Sequence, residues 1–461
     1  MSKLSPRIIV AGTHSGVGKT SVSLALVAAL RRRGLRVQTF KVGPDFLDPS
    51  YLTLASGRPC YNLDGWMSGR EYVRQLFTRA SRDAEISIIE GVMGFFDGAD
   101  PITGEGSTAE VARWLEAPVV LVASAHGLAR SFAAMVKGYA SLEPDLRVVG
   151  VIANQCGSRQ HGEWLSRSLA ASSQPPLLGA IVRGAFPELP SRHLGLVTAD
   201  QGILSPSVLD GLADALELHV PVEGILRVAR SAPQLTTSSP ERTAVSKQVR
   251  LGVARDEAFH FYYQDLFDEL EIQGCELAPF SPIRDDCLPE QCHALYIGGG
   301  YPEEHARGLS ANKPMLAGIG QFAASGRPIY AECGGLMYLS QGLETLDGER
   351  YPLVGLLPVA TRMLERKKAL GYVEVTLQDH SLWGSKDALL RGHEFHYSEM
   401  TADPAGQQGW RTVYSLRERK AEGIRGEGFQ RGRVLASYAH LHLASCPEAV
   451  KTFIAHCGAK S

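Results

Sequence analysis

The 461-residue sequence lacks the features that define several large classes of protein. Its 47 lysines and arginines nearly balance its 49 aspartates and glutamates, so the formal net charge of −2 provides no attraction to nucleic acid or anionic membranes. No apolar run is long enough to cross a bilayer, and the first residues lead into an apolar strand pattern rather than a signal peptide. We therefore expect a cytoplasmic protein with no nucleic-acid or membrane partner.

Cysteine is also sparse. The eight cysteines are spread over the whole chain and form no CxxC pair, which argues against both a disulfide framework and a zinc site. We expect most of them to be small buried residues, and only the sequence around Cys333 suggests chemistry.

Short apolar strands alternate with helical stretches through the first half of the chain. This alternation is typical of a parallel sheet covered by helices on both faces, with strands at 8–11, 37–40, 86–89, 119–122, 148–153 and 177–182. Residues 229–248 replace the apolar period with proline, serine, threonine and charge, and the strand and helix pattern then restarts. The sequence predicts two α/β domains, 1–228 and 249–461, joined by a linker at 229–248.

The segment THSGVGKT (13–20) follows the first strand and opens the first helix. Gly16 and Gly18 allow backbone N–H groups to approach phosphates, Lys19 supplies positive charge, and the hydroxyl of Thr20 can ligate Mg²⁺. The strict phosphate-loop pattern is missed by one place, since position 13 is threonine. The strand before and the helix after still favour an ATP site, in which Ser21 continues the loop into the helix.

Acidic residues follow the next strands. Asp45 and Asp48 stand in KVGPDFLDP (41–49), where they could equally cap a helix. Glu90 ends the third strand and Asp97 lies in the glycine-rich loop beyond it. A glutamate after two buried isoleucines is costly without a cation, so Asp45 and Glu90 are predicted to join Thr20 around Mg²⁺.

Cys333, in AECGGLMYL (331–339), lies where a strand meets two glycines and a new helix. A sharp turn of this kind exposes a nucleophile, and the following Gly334 lets a backbone N–H approach a developing oxyanion. Gly299 and Gly300, at the end of another strand, could provide further oxyanion donors. Among fourteen histidines, His440 and His442 in SYAHLHLAS (437–445) are the candidate partners of the thiol.

Together these segments resemble the cobyrinate a,c-diamide synthase family, the glutamine-dependent amidases of corrin biosynthesis. THSGVGKT, KVGPDFLDP, EGVMGFFDG, PSRHLGLV, GGGYPE, AECGGLMYL, GHEFHYSE and SYAHLHLAS occur in the family's order over the whole chain. The resemblance implies an N-terminal domain similar to dethiobiotin synthetase and a C-terminal class I glutamine amidotransferase domain without the usual acidic third member of the triad. His440 then falls on the catalytic histidine and His442 on the place of the triad glutamate, which indicates a Cys–His dyad.

The implied reaction uses ATP, Mg²⁺ and L-glutamine. Cys333 releases ammonia from glutamine with His440 handling the protons, and ATP converts corrin carboxylates to acyl phosphates that ammonia displaces, once on the c and once on the a side chain. Candidate substrate contacts in the N-terminal domain are Lys41, Asp48, Asp97, Arg192 and His193.

Three matters stay open at the level of sequence. Cobyrinate is the expected substrate, and the metal-free hydrogenobyrinate or nickel sirohydrochlorin would undergo the same chemistry. A phosphate-loop regulator with an inert glutaminase-like domain is a different class of protein, although the retained Cys333 and His440 argue against it. The sequence also allows a homodimer.

Overall fold

The computed structural model describes residues 5–187, 191–192, 195–196, 204–235, 245–246, 248–419 and 423–458. Its internal contacts divide the chain into two compact units, Met1–Pro240 and Glu241–Ser461. None of the helices within the described ranges combines the length and apolar character needed to cross a membrane.

The first unit is built on a seven-stranded sheet in which every neighbouring pair is parallel. All six strands predicted for the first half are present, and a short strand at 61–63 adds an edge that the sequence did not indicate. In the order in which they lie side by side, the strands are β3 (Tyr61–Leu63), β2 (Val37–Val42), β4 (Ile86–Glu90), β1 (Arg7–Gly12), β5 (Val119–Ser124), β6 (Val148–Cys156) and β7 (Leu177–Val182).

Helices follow most of these strands. The first of them, α1, is buried from Val22 to Leu30, as its apolar character on all sides predicts, and Gly34 beyond it adopts φ 80° where a side chain would be disfavoured. The helices of this unit are α1 (Lys19–Arg32), α2 (Leu47–Ser56), α3 (Gly65–Ala80), α4 (Thr108–Trp114), α5 (Arg130–Ser141), α6 (Arg159–Ala171), α7 (Pro206–His219) and α8 (Val222–Arg230). A two-stranded ribbon, β8 (Ser191–Arg192) and β9 (Gly195–Leu196), precedes α7.

The register of this sheet brings charged residues together at one edge. Lys41 of β2 is paired with Glu90 of β4, and Val10 of β1 is paired with Glu90 from the other side. Because parallel strands end at the same edge, the loops after β1, β2 and β4 meet there.

The segment predicted as a linker at 229–248 begins inside a helix. Ala229 is fully buried in α8, and the next strand starts at Val249. α8 therefore extends two residues into the predicted linker, whose residues 236–244 and 247 lie outside the described residues.

The second unit contains a ten-stranded sheet that is parallel at one end and antiparallel at the other. Side by side, its strands are β11 (Cys275–Phe280), β10 (Val249–Ala254), β12 (Ala294–Ile297), β13 (Ile329–Glu332), β22 (Val434–Ser437), β21 (Arg425–Arg431), β20 (Arg411–Glu418), β17 (Ala369–Leu377), β18 (Leu389–His396) and β23 (His440–His442). The five parallel strands support the nucleophile turn, and the antiparallel extension returns β23 to it.

The other elements of the second unit cover this sheet and its edges. A four-stranded sheet contains β15 (Arg350–Pro352), β14 (Gly342–Glu344), β16 (Thr361–Met363) and β19 (Ser398–Met400). The helices are α9 (Gln264–Ile272), α10 (Ala306–Ala311), α11 (Lys313–Ala324), α12 (Gly334–Leu339) and α13 (Pro447–Gly458), with a short 3₁₀ turn at Leu443–Ser445.

Candidate active sites

The loop between β1 and α1 depends on three glycines. Gly16 and Gly18 adopt φ 79° and 100°, and a Cβ added to Gly18 would lie 2.4 Å from Nδ2 of Asn154. Gly12, one place earlier than the strict pattern requires, has no room for a side chain either, since an added Cβ would lie 2.7 Å from Val17. The loop therefore has the glycine-dependent backbone of a phosphate cradle despite its shifted first glycine.

Lys19 lies within this loop rather than in solvent. Its Nζ donates to the backbone carbonyl of Met93 at 2.6 Å and to that of His14 at 3.3 Å, and the residue is only 7% exposed. Burial, together with the neighbouring positive charge of Lys41, lowers the pKa of Lys19. Ser21 occupies the first turn of α1 behind it.

A buried lysine gathers the predicted acidic residues. Lys41 Nζ lies 2.5 Å from Asp48 Oδ2, 2.9 Å from Glu90 Oε1 and 4.0 Å from Asp45 Oδ2. Thr20 Oγ1, from the phosphate loop, donates to the same Glu90 oxygen at 2.8 Å. The structure thus brings the three acidic residues and the loop into one cluster, with the Lys41 ammonium enclosed by carboxylates.

Burial and the charge of Lys41 act in opposite directions on the pKa values of the carboxylates in this cluster. Burial raises the pKa of Glu90 to about 7, against the lowering effect of Lys41. Burial also opposes ionisation of Asp48, but Lys41 prevails and lowers its pKa, whereas burial and the adjacent Asp48 charge raise the pKa of Asp45. Burial alone would lower the pKa of Lys41, but the three carboxylates outweigh this effect and raise it.

One feature of the cluster fits a divalent cation. Glu90 Oε2 is buried and has no hydrogen-bond partner, while Oε1 accepts from both Thr20 and Lys41. No group of three or more histidine, cysteine, aspartate or glutamate residues suited to a metal occurs among the residues that the structure describes. Mg²⁺ at a phosphate site needs only one or two protein ligands because phosphate and water oxygens supply the others. Thr20 and Glu90 meet that requirement.

Asp45 has a structural role as well. Its Oδ1 accepts from the backbone N–H groups of Leu47 at 2.8 Å and Asp48 at 3.4 Å, which is the turn that starts α2. This is the helix-capping alternative that the sequence left open.

The remaining predicted substrate contacts of this unit are Asp97, Arg192 and His193. Asp97 Oδ2 accepts from the N–H of Gly94 at 2.9 Å and is one of the charges that act on Lys19. Arg192 belongs to the short ribbon of β8 and β9, at a position where only the backbone is described, and His193 lies outside the described residues.

In the second unit, Cys333 lies at the turn between β13 and α12. It has φ 48° and ψ −100°, a backbone conformation rare for a residue with a side chain, and its N–H donates to Ser437 at 2.7 Å. An added Cβ on Gly335 would lie 2.0 Å from the carbonyl oxygen of Ile297, so the turn passes directly over β12. The predicted strand-to-helix turn is present, and the cysteine itself adopts a positive φ.

The predicted oxyanion glycines meet beside this turn. The Cβ position of Gly334 is 3.2 Å from the backbone nitrogen of Gly300. Gly300 itself has φ 156°, and an added Cβ would lie 2.1 Å from the carbonyl oxygen of Ala258. The carbonyl of Gly299 accepts from the backbone N–H of Phe261, which fixes the loop from the other side.

His440, on β23, faces the thiol and is 2% exposed. Burial would lower its pKa, but interactions with Cys333 and Glu332 raise the pKa of His440 to about 10. His442 points to a separate acid, with Nε2 3.3 Å from Asp265 Oδ2. The two histidines, which their spacing alone does not distinguish, therefore have different partners.

Glu332 was missed by sequence reasoning. Its Oε2 lies 3.8 Å from His440 Nδ1, so the Cys–His pair has an acidic neighbour after all. The available signal was the one used for Glu90, a carboxylate that ends a buried strand. The resemblance instead places the triad acid after His440, at the position of His442.

Comparison with known proteins covers both units. Residues 8–197 match the CobQ/CobB/MinD/ParA nucleotide binding domain, and residues 250–447 match the CobB/CobQ-like glutamine amidotransferase domain. Each model covers one of the two sites described above.

Several relatives are similar over nearly their entire length, and each is named cobyrinate a,c-diamide synthase. The relative from Syntrophotalea carbinolica is 56% identical over 459 residues, which cover 99% of each chain. That from Leptospira interrogans serovar Lai is 42% identical over 98% of each chain, and that from Archaeoglobus fulgidus is 40% identical over 97% of each.

Proposed function

This chain belongs to the cobyrinate a,c-diamide synthase family, and on that premise we propose that it amidates the a and c side-chain carboxylates of cobyrinate. ATP activates each carboxylate, and glutamine supplies the nitrogen. The observation that supports this most directly is that one chain carries two groups of functional side chains. The first is a lysine-bearing phosphate loop with carboxylates beside it, and the second is a buried cysteine paired with a histidine.

The second unit releases ammonia from glutamine. The Cys333 proton passes to His440, and the sulfur attacks the side-chain amide carbon to give a tetrahedral oxyanion beside Gly300 and Gly334. His440 then returns the proton to the departing nitrogen, so that ammonia leaves and a glutamyl thioester remains. Water, deprotonated by His440, attacks the thioester, and glutamate leaves as the thiol is restored.

The first unit consumes that ammonia. A corrin carboxylate oxygen attacks the γ-phosphorus of ATP, ADP departs, and an acyl phosphate forms. Lys19 neutralises the charge that spreads over the transferred phosphoryl group. Ammonia attacks the acyl carbon, inorganic phosphate leaves, and one proton is lost to give the primary amide.

Thr20 and Glu90 are the residues that would hold Mg²⁺ in this site, because Thr20 opens the helix at the phosphate loop and Glu90 has a buried oxygen without a partner. When bound, the ion supplies charge neutralisation to the phosphate oxygens. The ammonium group of Lys41 balances the negative charge of the surrounding carboxylates.

We infer that the protein acts in a reducing compartment such as the cytoplasm. All eight of its cysteines are free thiols, and the proposed chemistry requires Cys333 to remain one.

The test is mass spectrometry of products formed from ATP, Mg²⁺ and glutamine with cobyrinate, hydrogenobyrinate or nickel sirohydrochlorin supplied in parallel. Two acid-to-amide exchanges on cobyrinate are expected. Glutamine hydrolysis without any exchange would contradict the assigned acceptors and leave the glutaminase intact, whereas exchange on another corrinoid alone would contradict cobyrinate as the substrate.

The regulator alternative predicts a different result. A domain that serves only for regulation would hydrolyse no glutamine, and Cys333→Ser would then behave as the wild-type protein does.

A further inference from the structure

The carboxylate of Glu332 is held firmly at the end of β13, one residue before the nucleophile. Oε2 accepts from the hydroxyl of Tyr296 at 2.7 Å, and Oε1 accepts from the hydroxyl of Tyr330 at 2.6 Å and from the N–H of Leu441 at 3.2 Å. The residue is 3% exposed. Its position is therefore set by two side chains of the parallel strands and by the backbone of β23.

Glu332 and His440 form a buried acid–base pair. Among the described residues, His440 is the one basic side chain within ion-pair distance of Glu332, with Nδ1 3.8 Å from Oε2. The backbone N–H of Leu441, the residue after His440, donates to the other oxygen of the carboxylate. Glu332 thus contacts both the imidazole and the strand that carries it.

This geometry leaves Nε2 of His440 for the thiol, because Nδ1 faces the carboxylate. In the triad arrangement, an acid on the far nitrogen fixes the orientation of the ring and stabilises the imidazolium that forms when the nucleophile loses its proton. The position two residues after His440 cannot supply that acid, because it is His442, which has no carboxylate. Its Nε2 lies 3.3 Å from a different acid, Asp265.

We propose that Glu332 is the positioning residue of the glutaminase site, the acidic third member supplied from beside the nucleophile instead of from after the histidine. Its carboxylate orients the His440 ring with Nε2 toward the Cys333 sulfur and stabilises the imidazolium. This inference rests on the proposed function, because it concerns the release of ammonia from glutamine.

A purely structural role would need only the hydrogen bonds that Glu332 accepts. Glu332→Gln keeps an oxygen acceptor and removes the charge, whereas Tyr330→Phe keeps the charge and removes one hydrogen bond. We expect Glu332→Gln to lower kcat for glutamine hydrolysis by about 10²- to 10⁴-fold with KM little changed, and Tyr330→Phe to have a much smaller effect. Ammonium-supported amidation should persist in both.

The second readout is the titration of His440 in the wild-type protein, followed by NMR with labelled histidine and assigned by comparison with His440→Gln. Protonation should persist to about pH 10 and should end at a lower pH in Glu332→Gln. Cys333 also raises the pKa of His440. It is the same in both proteins, so the difference between their titrations reports Glu332. The other titratable groups near the pair are likewise common to both proteins. Burial raises the pKa of the tyrosines and of Glu394 and lowers the pKa of the two histidines; the groups are Tyr262, Tyr296, Tyr330, Tyr414, Glu394, His393 and His396.

The outcomes separate this proposal from the proposed function. If the wild-type protein hydrolyses no glutamine, the proposed function itself fails. If it does, then undiminished kcat in Glu332→Gln, equal losses in Glu332→Gln and Tyr330→Phe, or titration of His440 near its ordinary pKa of 6.5 in the wild-type protein would overturn the role of Glu332. A wild-type titration near 6.5 would overturn the role of Glu332 even if Glu332→Gln fails to fold.

Discussion

The Cβ position of Gly299 lies 2.5 Å from Cε1 of the His440 imidazole. No real Cβ atom approaches a ring carbon so closely, so a side chain at this position must push the imidazole aside. The absence of a side chain at residue 299 therefore maintains the distance between His440 and the thiol.

Gly299→Ala should displace His440 and lower glutamine-dependent activity by about 100-fold, since misplacement by 1 Å can cost that much. Gly320→Ala in α11 is the matched control, because nothing lies within 4 Å of its Cβ position. Steady-state assays with glutamine and with ammonium would distinguish the two variants. Normal glutamine-dependent activity in Gly299→Ala would show that His440 does not need its present position.

Glu90→Gln should reduce amidation by about 10²- to 10³-fold, because it weakens the charge that faces Thr20 and the proposed Mg²⁺. Calorimetric titration with ATP should show that Mg²⁺ no longer strengthens nucleotide binding. Glu85→Gln is the control, since Glu85 is exposed and contacts Arg36 at the surface. If Mg²⁺ still strengthens ATP binding in Glu90→Gln, Glu90 is not a ligand of the metal. The same test applied to Asp45→Asn decides whether Asp45 is a ligand.

Lys41→Met should destabilise the first unit by about 3–5 kcal/mol, because it leaves Asp48 and Glu90 as buried charges without their cation. Thermal unfolding followed by circular dichroism would measure this loss against Lys137→Met, a change at an exposed position of α5. Equal midpoints for the two variants would mean that the carboxylates do not depend on Lys41.

Glu427 provides a test of pH dependence in the second unit. Burial, with a further contribution from Glu394, raises the pKa of Glu427 from 4.5 to about 7, so the folded protein binds a proton that the unfolded chain has released. The stability contributed by this proton is complete below pH 4.5 and is lost as the pH rises to 7. The difference in melting temperature between Glu427→Gln and the wild-type protein should therefore move in favour of the variant over that interval. A constant difference would contradict the shifted pKa.

Much of the fold and of both sites could be predicted because the signals are local. A glycine-rich loop between a strand and a helix, or a cysteine followed by two glycines, specifies its own backbone within about ten residues. The six strands of the first half were predicted within a few residues because parallel strands buried on both faces are uniformly apolar.

What could not be predicted depends on pairing between distant segments. Lys41 is enclosed by carboxylates because β2 lies beside β4 in a register that aligns it with Glu90, and the sequence contains no indication of that register. Likewise, Glu332 meets His440 only because the chain returns through an antiparallel extension of the sheet. The residue numbers of these two side chains differ by more than one hundred, so no local pattern joins them.

We propose that ammonia is made at Cys333 and consumed at the phosphate loop. The most direct measurement is the yield of corrin amide from Cys333→Ser with ATP and Mg²⁺, supplied in one reaction with glutamine and in another with ammonium. We predict that amide formation from glutamine falls by at least about 10³-fold, while formation from ammonium remains close to that of the wild-type protein. Loss of both activities in a folded variant, or retention of both, would contradict the division of labour between the two sites.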